Sequence, residues 1–505
     1  HDSVSIDRSG RAPTPGDQDE IYVKHLFNRA GIPYMFDDLG YIVSPTRTRT
    51  GTALFSMARY GRTFTNTQFE NGSEGSVFNL EITYDPTTAS SGRESVKKPV
   101  PFSHGDMTDF ADLGDDKEQY RWPLEMRTGR RADDYEGLIN FCKTMDLPND
   151  QLGRKIDEVM DVDAWMRAAA MHNLSGIGDT WWNAGLQHNL RLYVPQGGRG
   201  VVGLPWDLDF VFTGSATGPI KSAGGNLRRV MDIPTNTRIY YGHLLDMVDT
   251  VFNPEYMEPW LAHYGNVIDQ NFSGRLSYIR SRSNFVRSRV RSEVPPISFS
   301  ITTNGGESMS TEARSITLEG EGWVNVRGIR FTDREEPLEV TWTTSKTWEI
   351  SVPLVFGANT ISLQSVDFQG KDLGSLFSPG SDSIIITSTA KEPTPFEHLR
   401  ITELHYHPAD DGDLEFIELL NLSDQPLDLT GVTFDDGIDF SFEDGTSMVA
   451  GDYALVVRNR AAFESHYGSD LPIVGEYGPA TSLSNRGERL ELLDGPHRIL
   501  AFAYR

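Results

Sequence analysis

At Val294-Pro295-Pro296 the periodicity of the chain changes, and this constrains the fold more than any other feature. Before that point, helix-period segments at 20–30, 133–145, 161–174, 254–264 and 273–291 are interspersed with strand-like apolar runs, the pattern of an α+β domain. After it come only short alternating runs, at 297–301, 315–318, 338–342, 348–352, 359–363 and 383–387, with Gly and Asn turns between them. That spacing predicts a small β-sandwich over 297–390. A second break, Glu392-Pro393-Thr394-Pro395, predicts a further β-domain over 397–505. The first domain is expected to span 1–293. Gly31 stops its first helix, and residues 85–118, rich in Pro, Ser, Gly and charge, read as an insertion loop.

A chain of 505 residues accommodates several such domains. Lys plus Arg is 46 against 72 for Asp plus Glu, a formal charge of −26. That balance argues against binding a phosphate backbone, so no nucleic-acid partner is expected. It suits a protein in a cation-rich medium. The one cysteine, Cys142, lies among Leu138, Ile139 and Phe141 and is expected to be buried, so there is no disulfide framework. No apolar run is long enough to span a membrane. The start at His1 leaves room for a preceding secretion signal and a missing N-terminal part. The strand-like Phe502-Ala503-Tyr504-Arg505 implies continuation beyond Arg505.

Pro205-Trp206-Asp207-Leu208-Asp209 puts two carboxylates inside an otherwise apolar stretch, between Val201-Val202-Gly203-Leu204 and Phe210-Val211-Phe212. Burying unpaired carboxylates is costly, so a cation should meet them. A hard divalent ion, Mg²⁺ or Ca²⁺, takes oxygen ligands of this kind. The alternative is an Asp pair that caps a turn or meets an Arg. Upstream lie Gly178-Asp179 and His188-Asn189-Leu190-Arg191-Leu192-Tyr193. Phosphoryl transfer from ATP needs an acid that accepts the substrate proton, then an Asn and an Asp that hold the metal. Asp179, Asn189 and Asp207 stand in that order. Asp179 also fits a plain turn. Asn189 is further from Asp179 than in ordinary protein kinases, which makes Asn183 a rival.

These residues resemble the CotH kinase family, the spore-coat-protein-H-like atypical kinases. The resemblance rests on Asp163-Ala164-Trp165-Met166-Arg167, Asn173-Leu174-Ser175-Gly176-Ile177-Gly178-Asp179, His188 to Tyr193, and Leu204 to Asp209. The helix around Tyr22 to Pro33 and the Gly114-Asp115-Asp116-Lys117-Glu118 element extend it over roughly 1–290, as in multidomain bacterial extracellular proteins. It implies Asp179 as catalytic base, and Asn189, Asp207 and Asp209 as ligands of Mg²⁺ or Mn²⁺ with ATP. The family's upstream Gly/Ser element and Lys-bearing strand have no counterpart here. Its acidic residue falls where this chain reads Met57-Ala58-Arg59-Tyr60, and Gln68 and Glu70 are the nearby candidates for the upper wall of the nucleotide site.

At the other end, Arg400 to Pro408, Glu415-Phe416-Ile417-Glu418-Leu419-Leu420-Asn421, Leu427-Asp428-Leu429-Thr430-Gly431 and Asn485 to Asp494 resemble the lamin-tail domain. That makes the expected fold class an α+β kinase-like domain followed by two immunoglobulin-like sandwiches. His405 and His407 read as neighbours on one strand face beside Glu403; a metal there would lack a third ligand. Two functions follow. One is an ATP- and Mg²⁺-dependent atypical kinase of a secreted or cell-surface bacterial protein, acting on Ser or Thr of extracellular proteins. The other is an inactive kinase-like scaffold in an adhesive surface protein, with assembly partners met through the sandwiches.

Overall fold

The computed structural model describes residues 5–7, 19–34, 37–45, 51–56, 60–80, 84–85, 98–99, 109–121, 123–178, 180–184, 189–208, 210–223, 225–374, 380–389, 393–409, 412–478 and 480–505. The chain divides into two compact units, residues 1–296 and 297–505. The first is α+β and the second all-β.

In the first unit, an antiparallel four-stranded sheet runs in the order Leu124–Met126, Ser76–Leu80, Leu190–Val194, Val202–Pro205. Its last two strands are buried at every position; they carry no charge except Arg191, whose guanidinium stacks on Trp206. Helix Val162–Ser175 covers this sheet; Asp161 caps it by accepting from the Ala164 amide at 2.9 Å. Trp165, Trp181 and Trp182 pack with Phe110 and Phe141 in the core between them. Gly203 leaves room for two of these indoles: a Cβ there would lie 2.7 Å from Trp182 and 3.0 Å from Trp165. Helices Pro234–Thr250, Pro254–Ile268 and Arg275–Glu293 belong to the same unit, as does Glu20–Arg29, which packs on Val162–Ser175 and Pro254–Ile268. A smaller sheet orders Ser5–Asp7, Gly51–Ser56 and Asp37–Ile42.

One helix boundary needs correction. The helix expected from Asp133 begins at Glu136, because Asp133 takes a left-handed φ of 52° and is held by Arg121 and Lys117. The basic helix pairs with acids, as Arg275–Asp19, Arg287–Asp249 and Arg289–Glu293, but Arg282 turns inward, is buried, and donates to the carbonyls of Gly218, Pro219 and Asn173. Cys142 is buried, and burial pushes its thiol well above the ordinary range. No helix among the described residues is long and apolar enough to cross a membrane.

In the second unit, one sandwich faces the sheet Ser300–Ile301, Ser315–Glu321, Thr347–Pro353, Thr341–Trp342 against Met309–Thr311, Ser381–Ser388, Gly357–Val366, Gly328–Phe331. Its core holds Leu318, Trp348, Ile350, Ile361, Leu363, Ile384 and Ile386. The other faces Leu399–His405, Phe416–Asn421, Tyr453–Val457, Ile473–Glu476 against Phe440–Ser441, Val432–Asp436, Arg489–Asp494, His497–Ala503 around its own core of Ile417, Leu419, Val456, Leu490 and Leu492. No described strand is shared between them. They meet where His497 Nε2 lies 2.8 Å from Asn359 Oδ1 and where Pro353 packs on Gly431 and Gly495.

The motif residues of the last sandwich are explained by hydrogen bonding. Glu415 is buried and accepts from the Leu483 amide at 2.9 Å and the Tyr477 hydroxyl at 3.1 Å. Asn421, fully buried, donates to the carbonyls of Gln425, Met448 and Val449. Asp428 accepts from Thr430 N and Oγ1, an Asx turn that delivers Gly431 at φ 80°.

Candidate functional site

Strands Leu190–Val194 and Val202–Pro205 pair with Leu190 opposite Pro205. Asn189 and Asp207 therefore leave the sheet at the same end of adjacent antiparallel strands, which run about 4.8 Å apart. Both adopt left-handed backbone, φ 56° and 54°. Asn and Asp tolerate that region better than other side chains. Asn189 is fully buried and Asp207 half-buried. Phe212, just beyond, is also left-handed at φ 55°, a true outlier for a bulky residue. Its ring packs against Tyr22 and Tyr278, and its amide donates to Ser175 O at 2.8 Å. Such strain, about 1–3 kcal/mol for a residue, persists only where packing over-determines it, and it concentrates at functional sites.

Asp179 and Asp209 lie outside the described residues. Their described neighbours meet: Gly178 N donates to Phe210 O at 3.1 Å, and Gly214 N to Gly176 O at 3.2 Å. Asn183, the rival, lies in the short helix Trp181–Ala184.

Beneath Asp207 is a buried charge cluster that sequence reasoning missed. Glu20 Oε1 accepts from the Leu208 amide at 2.8 Å. Lys24, one helical turn on, sits 3.3 Å from Glu20 and 2.6 Å from Asp37. Burial works against the Lys24 charge, but the two carboxylates outweigh it and hold the ammonium above its ordinary value. Tyr34 lies in the same cluster: burial first, then Glu20, Asp37 and Asp207, push its phenol well up, with Arg191 acting in the opposite direction. Arg191 stacks 3.5 Å over the Trp206 ring. Tyr60 donates to Pro205 O and packs on Tyr34. The sequence did carry a signal for the cluster: Glu20 and Lys24 stand at i, i+4 among Ile21, Tyr22, Val23, Leu26 and Phe27, a face where charge has no reason to be unless paired.

Lys24 and Asp37 line a cleft of ≈470 Å³ with His25, Asn28, Arg29 and Gln68. Gln68 is thus placed at a cavity beside the cluster; Glu70 is exposed and does not line it. His25 is held down to about 4, by burial first and by Arg29 second, so its ring is neutral near pH 7. A larger cleft of ≈960 Å³, between the Gly129–Gly137 region and Val194–Gly198, contains none of the expected site residues. In the last sandwich, the strand ends at His405, which stacks on Phe416 at 5.0 Å, and a bulge at Thr402 breaks the alternation. His407 lies beyond the strand and is exposed, so the expected His pair on one strand face is not formed.

Residues 102–276 match the CotH kinase protein family, and residues 392–496 match the lamin tail domain. Asn189 and Asp207 fall inside the first match; Glu20, Lys24, Asp37 and Gln68 fall outside it. No curated protein matches the chain. Among solved structures, the SGBP-B protein of the Bacteroides ovatus mixed-linkage glucan utilization locus, in complex with a mixed-linkage heptasaccharide, is similar at 7% identity over 32% of this chain and 44% of its own, with a TM-score of 0.13. The N-terminal part of the bacterial S-layer protein SbsC is similar at 9% identity over 56% of this chain and 64% of its own, with a TM-score of 0.11. Scores at this level carry no argument about fold or function.

Proposed function

We propose that this chain, with its CotH kinase segment and lamin tail domain, transfers the γ-phosphoryl group of ATP to Ser or Thr hydroxyls of secreted or surface proteins outside a bacterial cell. The observation that carries the reading is the pair of left-handed oxygen-bearing residues, Asn189 and Asp207, at one end of the central strand pair. Their oxygens are the hard donors that Mg²⁺ or Mn²⁺ takes; Ca²⁺ uses the same donor type. A bound metal would neutralise charge on the ATP phosphates. Asn189 and Asp207 would hold it, with Asp209 adding a second carboxylate. Asp179 takes the proton of the attacking hydroxyl, whose oxygen forms the new bond to phosphorus as ADP leaves. Gln68 lines the neighbouring cleft as a nucleotide contact.

The test is incorporation of labelled phosphate from ATP and Mn²⁺ into a serine-rich acceptor protein. Asp179→Ala should reduce it by about 10²–10⁴-fold, the usual contribution of a general base. Equal incorporation by the variant would refute the assignment. Nucleotide binding without transfer would leave the scaffold reading, in which the sandwiches carry the function.

A further inference from the structure

We propose that Glu20 is a positioning residue for the Asp207 loop: its carboxylate, held in place by Lys24 and Asp37, fixes the Leu208 amide and through it the direction of the Asp207 side chain. The inference rests on reading Asp207 as a metal ligand. Glu20 and Leu208 are 188 residues apart, yet Glu20 Oε1 meets the Leu208 amide at 2.8 Å in a buried setting. Leu208 is fully buried, so this peptide is pinned by its side chain and its amide at once. The second Glu20 oxygen faces Lys24 at 3.3 Å, and Lys24 is drawn on to Asp37 at 2.6 Å. With side-chain exposures of 7%, 7% and 1%, these three groups have little freedom to rotate away. Asp37 opens a strand of the small sheet, so the chain of charges ties helix, small sheet and metal loop together. Outer hydrogen bonds that orient a metal ligand are worth about 10–100-fold in metal affinity, and this one acts on the peptide that joins Asp207 to Leu208.

The experiment separates geometry from charge. Glu20→Asp keeps the charge opposite Lys24 but is one methylene too short to reach the Leu208 amide. Glu20→Gln loses the charge but keeps an oxygen that accepts from that amide. Mn²⁺ is titrated by electron paramagnetic resonance into the full chain with a non-hydrolysable ATP analogue, and Leu208 amide exchange is followed in parallel. Glu20→Asp is expected to weaken Mn²⁺ by about tenfold or more and to speed Leu208 exchange; Glu20→Gln should stay within about threefold of wild type, since its hydrogen bond is retained. Wild-type affinity in Glu20→Asp, or the reverse order of the two variants, overturns the positioning role. A wild-type chain that binds no Mn²⁺ overturns the metal reading and this inference with it. Glu20→Asp with unchanged Leu208 exchange rejects the Glu20–Leu208 contact alone.

Discussion

Replacing Lys24 by Met should cost the first unit about 3–5 kcal/mol, the penalty for leaving buried carboxylates without their partner. The side chains are nearly isosteric, so packing is retained and the charge alone is removed. Lys24 is 2.6 Å from Asp37 and 3.3 Å from Glu20, and Asp37 is only 1% exposed, so a neutral Met leaves its carboxylate largely desolvated. Beyond Lys24, no described residue hydrogen-bonds the Asp37 oxygens, so this ion pair is their compensation. Urea denaturation followed by tryptophan fluorescence reads the loss, since Trp165, Trp181 and Trp182 lie in this unit's core. The deficit should shrink as pH falls, because burial without a cation favours the protonated carboxyls. A triple change, Glu20→Gln, Lys24→Met and Asp37→Asn, removes all three charges and should recover most of the loss. A Lys24→Met protein within about 1 kcal/mol of wild type, a cost typical of exposed pairs, would refute the reasoning.

Two further outcomes are expected. Burial raises Asp494 from 3.8 to about 6, so the folded second unit binds this proton more tightly than the unfolded chain; its stabilising effect is full below about pH 4 and lost as pH rises through 6. Asp494→Asn should remove up to about 3 kcal/mol of that pH dependence, at 1.36 kcal/mol per pH unit, and an unchanged profile in chemical denaturation would count against it. Gly203→Ala should destabilise the first unit by about 1–3 kcal/mol through overpacking, because its Cβ would lie 2.7 Å from Trp182; an unshifted unfolding midpoint would show that the indoles can yield.

The division into α+β and all-β parts was legible because the apolar period changes at Val294-Pro295-Pro296. Helix Pro234–Thr250 was not. It is buried on most sides, including Asn236, Arg238 and His243, so it shows no amphipathic stripe, and its one signal was Pro234 at the first turn. Helix Asn149–Val159 did carry a stripe, Leu152, Ile156 and Val159, spaced as a helix requires, after Pro148. The Pro205 to Asp209 segment stood out because charge interrupts an apolar run. Its register against Asn189 and its left-handed turns depend on pairing between distant segments, which no local pattern records. The same holds for Glu20, whose partner Leu208 is 188 residues away.

Calorimetry of nucleotide binding by wild type and Asp207→Ala, with and without Mn²⁺, tests the central claim most directly. Wild type should bind an ATP analogue in a Mn²⁺-dependent manner, and Asp207→Ala should lose that dependence while keeping its fold by circular dichroism. Equal Mn²⁺-dependent binding by both proteins, or binding by wild type that ignores Mn²⁺, would contradict a metal site at Asn189 and Asp207.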